Sequence, residues 1–240
     1  MEKLNRIKTI VVTGGSKGIG KAIIEKFAAE GFNIITCSRS ANDLEQLKND
    51  LKKNFPQIKI YTKPVDLSDK NQVENFVSYI STLGLTIDIL VNNAGKFVLG
   101  QMHNEADGIL EELMKTNLYS AYHLTRKLIG DMMKNRAGHI FNICSIASIS
   151  PYISGSSYCI TKHALLGMSK VLREEMKSYN IKVTAILPGA TYTDSWAESG
   201  LPIERFVLPE AIAESIYAVY ELKGGGNVEE LLIRPQLGDI

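Results

Sequence analysis

Short segments rich in valine and isoleucine alternate with longer segments of helical periodicity along most of this 240-residue chain. Such alternation is typical of β-α units repeated around a parallel sheet. Six helices are expected, and the two longest lie at residues 112–133 and 157–179. The pattern predicts an α/β fold, with a doubly wound sheet of about seven parallel strands and helices on both faces. The predicted strands are residues 9–13, 33–37, 58–62, 87–91, 139–144, 182–187 and 231–234.

Capping and turn residues predict where several of these helices begin and end. Gly31 is expected to end the first helix in a left-handed conformation, and Pro209 to open the last. Ser40 and Ser68 are expected to cap the second and third helices, because a serine hydroxyl accepts a hydrogen bond from a free backbone N–H. Gly138 is expected to close the first long helix. Because no linker, repeat or composition shift interrupts the chain, we expect a single domain.

A glycine-rich segment, Thr-Gly-Gly-Ser-Lys-Gly-Ile-Gly at residues 13–20, joins the first strand to the first helix. Glycines let a phosphate approach the backbone, and a helix N-terminus offers free N–H groups and a partial positive charge. The segment therefore predicts a site for the pyrophosphate of a dinucleotide, the alternative being a tight turn that only packs strand on helix. Its spacing is not that of a P-loop, which disfavours ATP or GTP hydrolysis. The predicted contacts are Gly14, Ser16, Lys17, Gly18, Ile19 and Gly20.

The end of the second strand bears on the type of dinucleotide. An NAD site usually places an aspartate or glutamate there to hold the ribose 2′-hydroxyl. This chain has Thr-Cys-Ser-Arg-Ser at residues 36–40 and no carboxylate. Arg39 and Lys17 are placed to meet a 2′-phosphate, with which a guanidinium forms bidentate hydrogen bonds. We therefore predict NADP(H), the alternative being that both cations are ordinary surface charges.

Tyr158 and Lys162 lie four residues apart on a predicted helix and therefore share one of its faces. This spacing alone is expected about once by chance in a chain with this many tyrosines and lysines. Ser145 supplies the context, because it directly follows the fifth strand. That is the edge of the sheet where open α/β folds bind their ligands.

Six ordered motifs of the chain resemble those of the short-chain dehydrogenase/reductase family. They are the glycine turn, Asn92-Asn93-Ala94-Gly95 after the fourth strand, Ser145, Tyr158, Lys162, and Pro188-Gly189 after the sixth strand. Together they extend over nearly the whole chain, which makes the resemblance specific. It implies a Rossmann-type fold and hydride transfer between NADP(H) and a carbonyl or alcohol.

The resemblance also implies roles for individual residues. Tyr158 would donate a proton to the substrate oxygen, Lys162 would favour the phenolate and hold the nicotinamide ribose, and Ser145 would hydrogen-bond the substrate carbonyl. Asn117 matches the family's catalytic asparagine and would support a water relay to Lys162. Further implied cofactor contacts are Asp66 to the adenine, Thr193 to the nicotinamide carboxamide, and Asn92, Ala94, Gly95, Pro188 and Gly189. Ordinary structural roles stay open for Asn117, Asp66, Asn92 and Thr193.

The loop after Pro188, at about residues 190–208, is expected to line the substrate site. It carries Tyr192, Asp194 and the only tryptophan of the chain, Trp196. The aromatic residues would stack on a flat substrate and Asp194 would pair with an aminopyrimidine; alternatively, the rings only anchor a mobile loop. Two segments, residues 188–196 and 228–240, resemble the bacterial sepiapterin reductase-like branch of the family.

We therefore expect an NADPH-dependent carbonyl reductase or alcohol dehydrogenase, with sepiapterin or a small diketone as its substrate. A 3-oxoacyl-acyl-carrier-protein reductase or a general ketone reductase is the enzymatic alternative. A non-catalytic NADP sensor is the alternative from another class of protein. The presence of Ser145, Tyr158 and Lys162 argues against a sensor.

Charge and composition bear on partners and location. The formal net charge of +1 favours neither nucleic acid nor an anionic membrane as a partner. No apolar run approaches the roughly 18 residues that span a bilayer. The three cysteines and four histidines lack metal-binding or disulfide spacing, so we expect no metal site and a reducing, cytoplasmic location. Family members commonly assemble through the two long helices, which implies a homodimer or homotetramer.

Overall fold

The computed structural model describes residues 6–196 and 199–240. Among these residues, seven parallel strands form one sheet in the order β3-β2-β1-β4-β5-β6-β7. The strands are β1 (Thr9–Thr13), β2 (Asn33–Ser38), β3 (Ile60–Pro64), β4 (Ile89–Asn92), β5 (Gly138–Ile143), β6 (Ile181–Pro188) and β7 (Glu230–Ile233). The helices are α1 (Gly18–Ala29), α2 (Ala41–Asn54), α3 (Lys70–Thr82), α4 (Ile109–Met114), α5 (Ser120–Asn135), α6 (Ser156–Met176) and α7 (Pro209–Glu221). The predicted α/β fold with a parallel sheet is confirmed.

Helices cover both faces of the sheet, because its central strands are apolar on both sides. On β1, Ile10 and Val12 pack with residues of α1, α2 and α7, whereas Val11 packs with residues of α3 and α5 on the opposite face. On the first of these faces, the buried ring of Phe27 meets Tyr217 of α7 edge-on, with 5.4 Å between ring centroids. The sheet is therefore doubly wound, as predicted.

The direction in which the chain adds strands to the sheet reverses at β1. The chain first continues to β2 and β3 on one side and then returns to place β4 on the other. Thr13 pairs with Cys37 of β2, and Val12 pairs with Val91 of β4, so the carboxyl ends of these three strands lie side by side. The loops diverge at such a point and leave a crevice that suits a ligand.

Three predicted helix signals are confirmed. Gly31 follows α1 with a φ of +81°, and Pro209 opens α7. Ser40 caps α2, since its hydroxyl oxygen accepts a hydrogen bond from the Asp43 N–H at 3.2 Å. The third strand, by contrast, begins at Ile60 rather than at residue 58, because the turn that follows α2 runs two residues further than predicted.

Ser68 does not cap α3, contrary to the prediction. The cap is Asp69, whose carboxylate accepts a hydrogen bond from the Asn71 N–H at 2.8 Å. The Ser68 hydroxyl instead donates to Asp66 at 2.8 Å. The cap of α3 therefore lies one residue further along the chain than predicted.

Gly138 does not close the first long helix, which is the second correction at a helix end. α5 ends at Asn135, and Arg136 adopts the left-handed conformation with a φ of +50°. Gly138 is the first residue of β5, where a Cβ would lie 2.7 Å from the sulfur of Met132. The glycine is thus required by close packing against the helix rather than by a turn.

Candidate active site

The glycine turn leaves the N-terminus of α1 open to a ligand. Gly14 and Gly18 have φ values of +65° and +52°, in the region that favours glycine. A Cβ on Gly20 would lie 2.4 Å from the carbonyl oxygen of Gly14. Lys17 is the N-cap residue, but its side chain makes no capping hydrogen bond, and the first turn of α1 contains no acidic residue. The backbone N–H groups in the first turn of α1, which the side chain of Lys17 does not cap, and the partial positive charge of the helix end fit a pyrophosphate. The remaining predicted contacts of the turn, Ser16 and Ile19, are half-buried.

Asn93 ties the glycine turn to β4. Its Nδ2 donates to the carbonyl oxygens of Thr13 and Gly14, at 2.8 and 3.1 Å. The Thr13 hydroxyl in turn accepts hydrogen bonds from the N–H groups of Asn93 and Ala94. Sequence reasoning assigned no role to Asn93; its place in the Asn-Asn-Ala-Gly motif was the signal available. The motif therefore sets the shape of the turn from the neighbouring strand.

Asn92 points into the interior and is 4% exposed. Its Nδ2 donates to Thr125 Oγ1 at 3.0 Å and to Asn142 Oδ1 at 2.8 Å. These bonds join β4 to α5 and β5 and support the ordinary structural role that stayed open for Asn92. A direct contact between Asn92 and the cofactor stays a prediction.

Two cations flank the glycine turn. Lys17 Nζ lies 3.5 Å from Asp43 Oδ2 and 3.7 Å from Asp194 Oδ2. Arg39 is exposed just beyond β2, whose last residue is Ser38 rather than a carboxylate. Both cations are accessible to a phosphate, although the two aspartates compete with it for Lys17.

Asp66 follows β3 and serves as an acceptor in a local turn. Its Oδ1 accepts hydrogen bonds from the N–H and the hydroxyl of Ser68, at 2.9 and 2.8 Å. These bonds, with a smaller contribution from the charge of Arg39, hold the pKa of Asp66 below its usual range. A carboxylate has a second oxygen, so the turn does not prevent an adenine contact.

Lys162 and Tyr158 lie one turn apart on α6, close to the end of β5. Lys162 is 4% exposed, and its Nζ donates to the carbonyl oxygen of Ile143 at 2.8 Å. The same nitrogen is 5.6 Å from the centre of the Tyr158 ring. Ser145, two residues after Ile143, accepts a hydrogen bond at its Oγ from the Ala147 N–H at 3.1 Å. Its hydroxyl proton is therefore free for a substrate oxygen.

Asn117 joins three elements of the site. It lies in a π-helical turn, Lys115–Tyr119, which connects α4 to α5 and interrupts the single helix predicted for residues 112–133. Its Oδ1 accepts the Lys96 N–H at 2.7 Å, and its Nδ2 donates to Lys96 O and to Thr161 Oγ1, both at 3.0 Å. Asn117 is 1% exposed, so its side chain belongs to the buried interior and not to the surface of the helix.

The turn after β6 is held by the last strand. Pro188 ends β6, and the Gly189 N–H donates to the carbonyl oxygen of Ile233 at 2.7 Å. Thr193 then packs over the glycine turn, since its γ-methyl would lie 3.1 Å from a Cβ on Gly18. This contact brings the start of the 190–208 loop next to the expected pyrophosphate position.

The aromatic residues on the substrate side fall into two groups. Tyr192 and Trp196 each pack on the buried Phe206, with 5.6 Å between ring centroids. This packing favours the alternative in which they anchor the loop. Phe97, which sequence reasoning missed, meets Tyr158 edge-on at 5.0 Å and lies 6.4 Å from Tyr152. Its position two residues after the Asn-Asn-Ala-Gly motif was a possible signal.

None of the described helices is long and apolar enough to cross a membrane. Within the described residues, no group of three or more histidine, cysteine or acidic residues is arranged to hold a metal ion. The three cysteines are buried and free.

Comparisons with known proteins agree with this architecture. The sepiapterin reductase of Chlorobaculum tepidum is 30% identical over 239 residues, which cover 96% of this chain and 97% of that protein. A 3-oxoacyl-acyl-carrier-protein reductase of Chlamydia trachomatis is 31% identical over 223 residues, or 87% of this chain and 88% of that protein. The crystal structure of L-sorbose reductase from Gluconobacter frateurii, complexed with NADPH and L-sorbose, is similar with a TM-score of 0.88 and 28% identity, covering 95% of each chain. The sequence model of the short chain dehydrogenase family matches residues 8–202, and the chain belongs to this family.

Proposed function

We propose that the protein is an NADPH-dependent carbonyl reductase that also catalyses the reverse oxidation of an alcohol. The observation that carries the proposal is the placement of Lys162, which is buried, hydrogen-bonded to the end of β5 and 5.6 Å from the Tyr158 ring. A buried ammonium beside a phenol stabilises the phenolate that proton donation leaves behind. Ser145, with its hydroxyl proton free, stands at the end of the same strand.

In this proposal each side chain has one task. The Ser145 hydroxyl donates a hydrogen bond to the substrate carbonyl oxygen and stabilises the negative charge that develops on it. Tyr158 transfers its hydroxyl proton to that oxygen, and Lys162 stabilises the resulting phenolate. NADPH supplies the hydride when bound. Asn117 lies beside Lys162 and supports the return of a proton to Tyr158.

The choice of NADPH is supported by Arg39 and Lys17 and by the absence of a carboxylate at the end of β2. A 2′-phosphate carries nearly two negative charges, which two cations stabilise and a carboxylate would repel. L-sorbose reductase, a structural relative, was crystallised with NADPH. The kcat/KM for NADPH should exceed that for NADH; the reverse order would reject this part of the proposal.

For the substrate we propose a ketone whose carbonyl carries a flat or apolar substituent, with sepiapterin or a small diketone as the best specific candidates. Phe97 and Tyr152 form an aromatic surface beside Tyr158, which favours such a group. The relative from Chlorobaculum tepidum is a sepiapterin reductase. A 3-oxoacyl thioester is the second candidate, since another relative is a 3-oxoacyl-acyl-carrier-protein reductase.

NADPH oxidation measured with sepiapterin, 2,3-butanedione and acetoacetyl-coenzyme A separates these candidates. The proposal expects the highest kcat/KM with sepiapterin or the diketone. A preference for the thioester would favour the second candidate. Absence of turnover with every carbonyl, together with tight NADPH binding, would indicate a sensor instead.

We also propose that the chain forms a homodimer or homotetramer through α5 and α6. A groove between these helices exposes Tyr119, Tyr122 and Val171, at 46%, 43% and 60% of their surface. Burial of such apolar side chains drives association. Light scattering should give a mass of two or four chains, and a monomer at micromolar concentration would contradict the proposal.

The three buried free cysteines support a reducing, cytoplasmic location, which cell fractionation tests.

A further inference from the structure

Two segments beside the candidate active site, residues 97–104 and 146–157, carry unusually exposed apolar side chains. Ile153, Met102 and Leu99 are 83%, 72% and 70% exposed, more than any other large apolar side chain in the described part of the chain. Single exposed apolar side chains are common on protein surfaces, whereas a group of them marks a binding surface. The two segments are therefore candidates for such a surface.

Hydrogen bonds hold the two segments side by side. The Gly100 N–H donates to the carbonyl oxygen of Ser154 at 2.9 Å, and the Gly100 carbonyl oxygen accepts the Ser156 N–H at 3.2 Å. The Met102 N–H donates to Ser156 Oγ at 3.1 Å. Ser154, which these bonds hold in place, has a φ of +69°, a conformation that residues other than glycine rarely adopt. The segments therefore form one continuous surface with a fixed backbone.

This surface begins at the candidate proton donor. The Phe97 ring meets the Tyr158 ring edge-on at 5.0 Å and lies 6.4 Å from the Tyr152 ring. Leu99 is two residues beyond Phe97, and Ile153 directly follows Tyr152. An apolar group attached to a carbonyl at Tyr158 would therefore pass the aromatic rings first and reach the aliphatic side chains next.

The surface also lacks charge. Residues 97–104 and 138–161 contain no lysine, arginine, aspartate or glutamate, although these four types make up 22% of the chain. The carboxylate that follows the first segment, Glu105, accepts a hydrogen bond from the Ser157 hydroxyl. An ionic substituent, such as the phosphates of a coenzyme A thioester, would find no opposite charge on these segments. An uncharged apolar chain would be removed from water there.

We propose that this surface binds an uncharged alkyl chain of the ketone substrate, so that ketones with longer chains are preferred to 2,3-butanedione. Each methylene group that reaches the surface is removed from water, which favours binding. The hydrogen bonds between the two segments reduce the ordering that binding requires. The inference rests on the proposed carbonyl reductase function.

A series of diketones tests the proposal in the unaltered protein. NADPH oxidation is measured with 2,3-butanedione, 2,3-hexanedione and 2,3-octanedione, which share a methyl ketone and differ in chain length. The kcat/KM for 2,3-octanedione should exceed that for 2,3-butanedione at least about tenfold. Equal values, or a decrease with chain length, would overturn the proposal.

Substitutions locate the effect on the surface. Ile153→Ser and Leu99→Ser should each lower the ratio of the two kcat/KM values at least about threefold, because serine offers less apolar surface to the chain. Ile7→Ser is the matched control: Ile7 is 48% exposed and precedes β1, at the amino-terminal edge of the sheet. It should leave the ratio within about twofold of the unaltered value.

Because the ratio compares two substrates of one variant, partial loss of folded protein does not change it. An unaltered ratio in both Ile153→Ser and Leu99→Ser would contradict the proposal, as would an equal decrease in Ile7→Ser. A second copy of the chain is the competing occupant of the surface. Light scattering should give Ile153→Ser the same mass as the unaltered protein, and a smaller mass would assign the surface to contact between subunits and overturn the proposal.

A further readout does not depend on turnover. The NMR signal of the Met102 methyl group, identified by its loss in Met102→Leu, should shift when 2-octanol is added. The same concentration of 2-butanol should shift it at least about fivefold less. Absence of a shift with 2-octanol would refute the inference by itself. Lack of turnover with every carbonyl would refute the proposed function, so the two failures are distinguishable.

Discussion

The ammonium of Lys162 shows how single hydrogen bonds orient the side chains of the candidate site. A charge that is 4% exposed needs partners, and the Ile143 carbonyl oxygen supplies one at 2.8 Å. An ammonium has three donors, so two remain for a ribose hydroxyl and for solvent. Ser145 is prepared in a similar way, because the Ala147 N–H fixes its oxygen while its proton stays free. Both side chains are thus oriented by backbone groups, Lys162 by the last residue of β5 and Ser145 by the turn that follows it.

In the proposed function, cofactor choice also depends on single residues. Arg39→Asp should lower kcat/KM for NADPH at least about tenfold, because a carboxylate repels the 2′-phosphate. The same carboxylate offers an acceptor to a ribose 2′-hydroxyl, so kcat/KM for NADH should hold or rise. Lys52→Asp, which makes the same charge change at an exposed position of α2, is the control and should alter neither value. An NADPH preference that survives Arg39→Asp would contradict the role of Arg39.

At the scale of elements, the ends of helices show what a sequence pattern can and cannot predict. Ser40 is predicted as the cap of α2 because it is a good capping residue in the right place. Near α3 the chain offers Ser68 and Asp69 in succession, and the pattern alone does not distinguish between them; Asp69 is the cap, and the Ser68 hydroxyl bonds to Asp66. The π-helical turn around Asn117 interrupts a helix that the hydrophobic pattern predicts as continuous.

The cap of α3 can be tested by substitution. Asp69→Ala should lower the free energy of unfolding by about 1 kcal/mol, because the Asn71 N–H loses its partner. Asp69→Ser keeps a capping oxygen and should cost only a fraction of that. Urea unfolding followed by circular dichroism measures both values. Equal stability of the alanine variant and the unaltered protein would show that Asp69 is not the effective cap.

At the scale of the whole molecule, the sheet was predictable because most of its strands are short apolar runs between helices of clear periodicity. The order of β1, β4 and β5 then brings the glycine turn and Ser145 to one edge, as the motifs implied. Contacts between distant loops were not predictable. Phe97 meets Tyr158, and Tyr192 meets Phe206, through packing between residues that are far apart along the chain. The substrate is therefore less constrained than the reaction class.

The buried His139 makes the stability of the fold depend on pH. Its ring stacks on Phe141 at 3.9 Å, and its Nε2 lies 2.9 Å from Thr184 Oγ1. Burial lowers the pKa of His139 to about 3, whereas an unfolded histidine has a pKa of about 6.5. Between these values the unfolded chain binds a proton and the folded protein does not. The contribution of His139 is therefore complete above about pH 6.5 and falls as the pH decreases toward 3.

From this difference the free energy of unfolding should fall by about 2 kcal/mol between pH 7 and pH 5 on account of His139. His139→Gln should remove that part of the pH dependence, whatever its effect on stability at pH 7. His103→Gln alters an exposed histidine and is the control. Urea unfolding at the two pH values measures the difference, and the same pH dependence in His139→Gln would contradict this assignment.

The most direct test of the proposed function is the rate of NADPH-dependent reduction of a diketone or sepiapterin by Tyr158→Phe, measured beside NADPH binding. Tyr61→Phe, which removes a hydroxyl from β3 away from the candidate site, is the matched control. We expect Tyr158→Phe to lower kcat at least about 10³-fold and to bind NADPH within about threefold of the affinity of the unaltered protein. Tyr61→Phe should stay active. Retention of substantial turnover by Tyr158→Phe would contradict the assignment of Tyr158 as the proton donor.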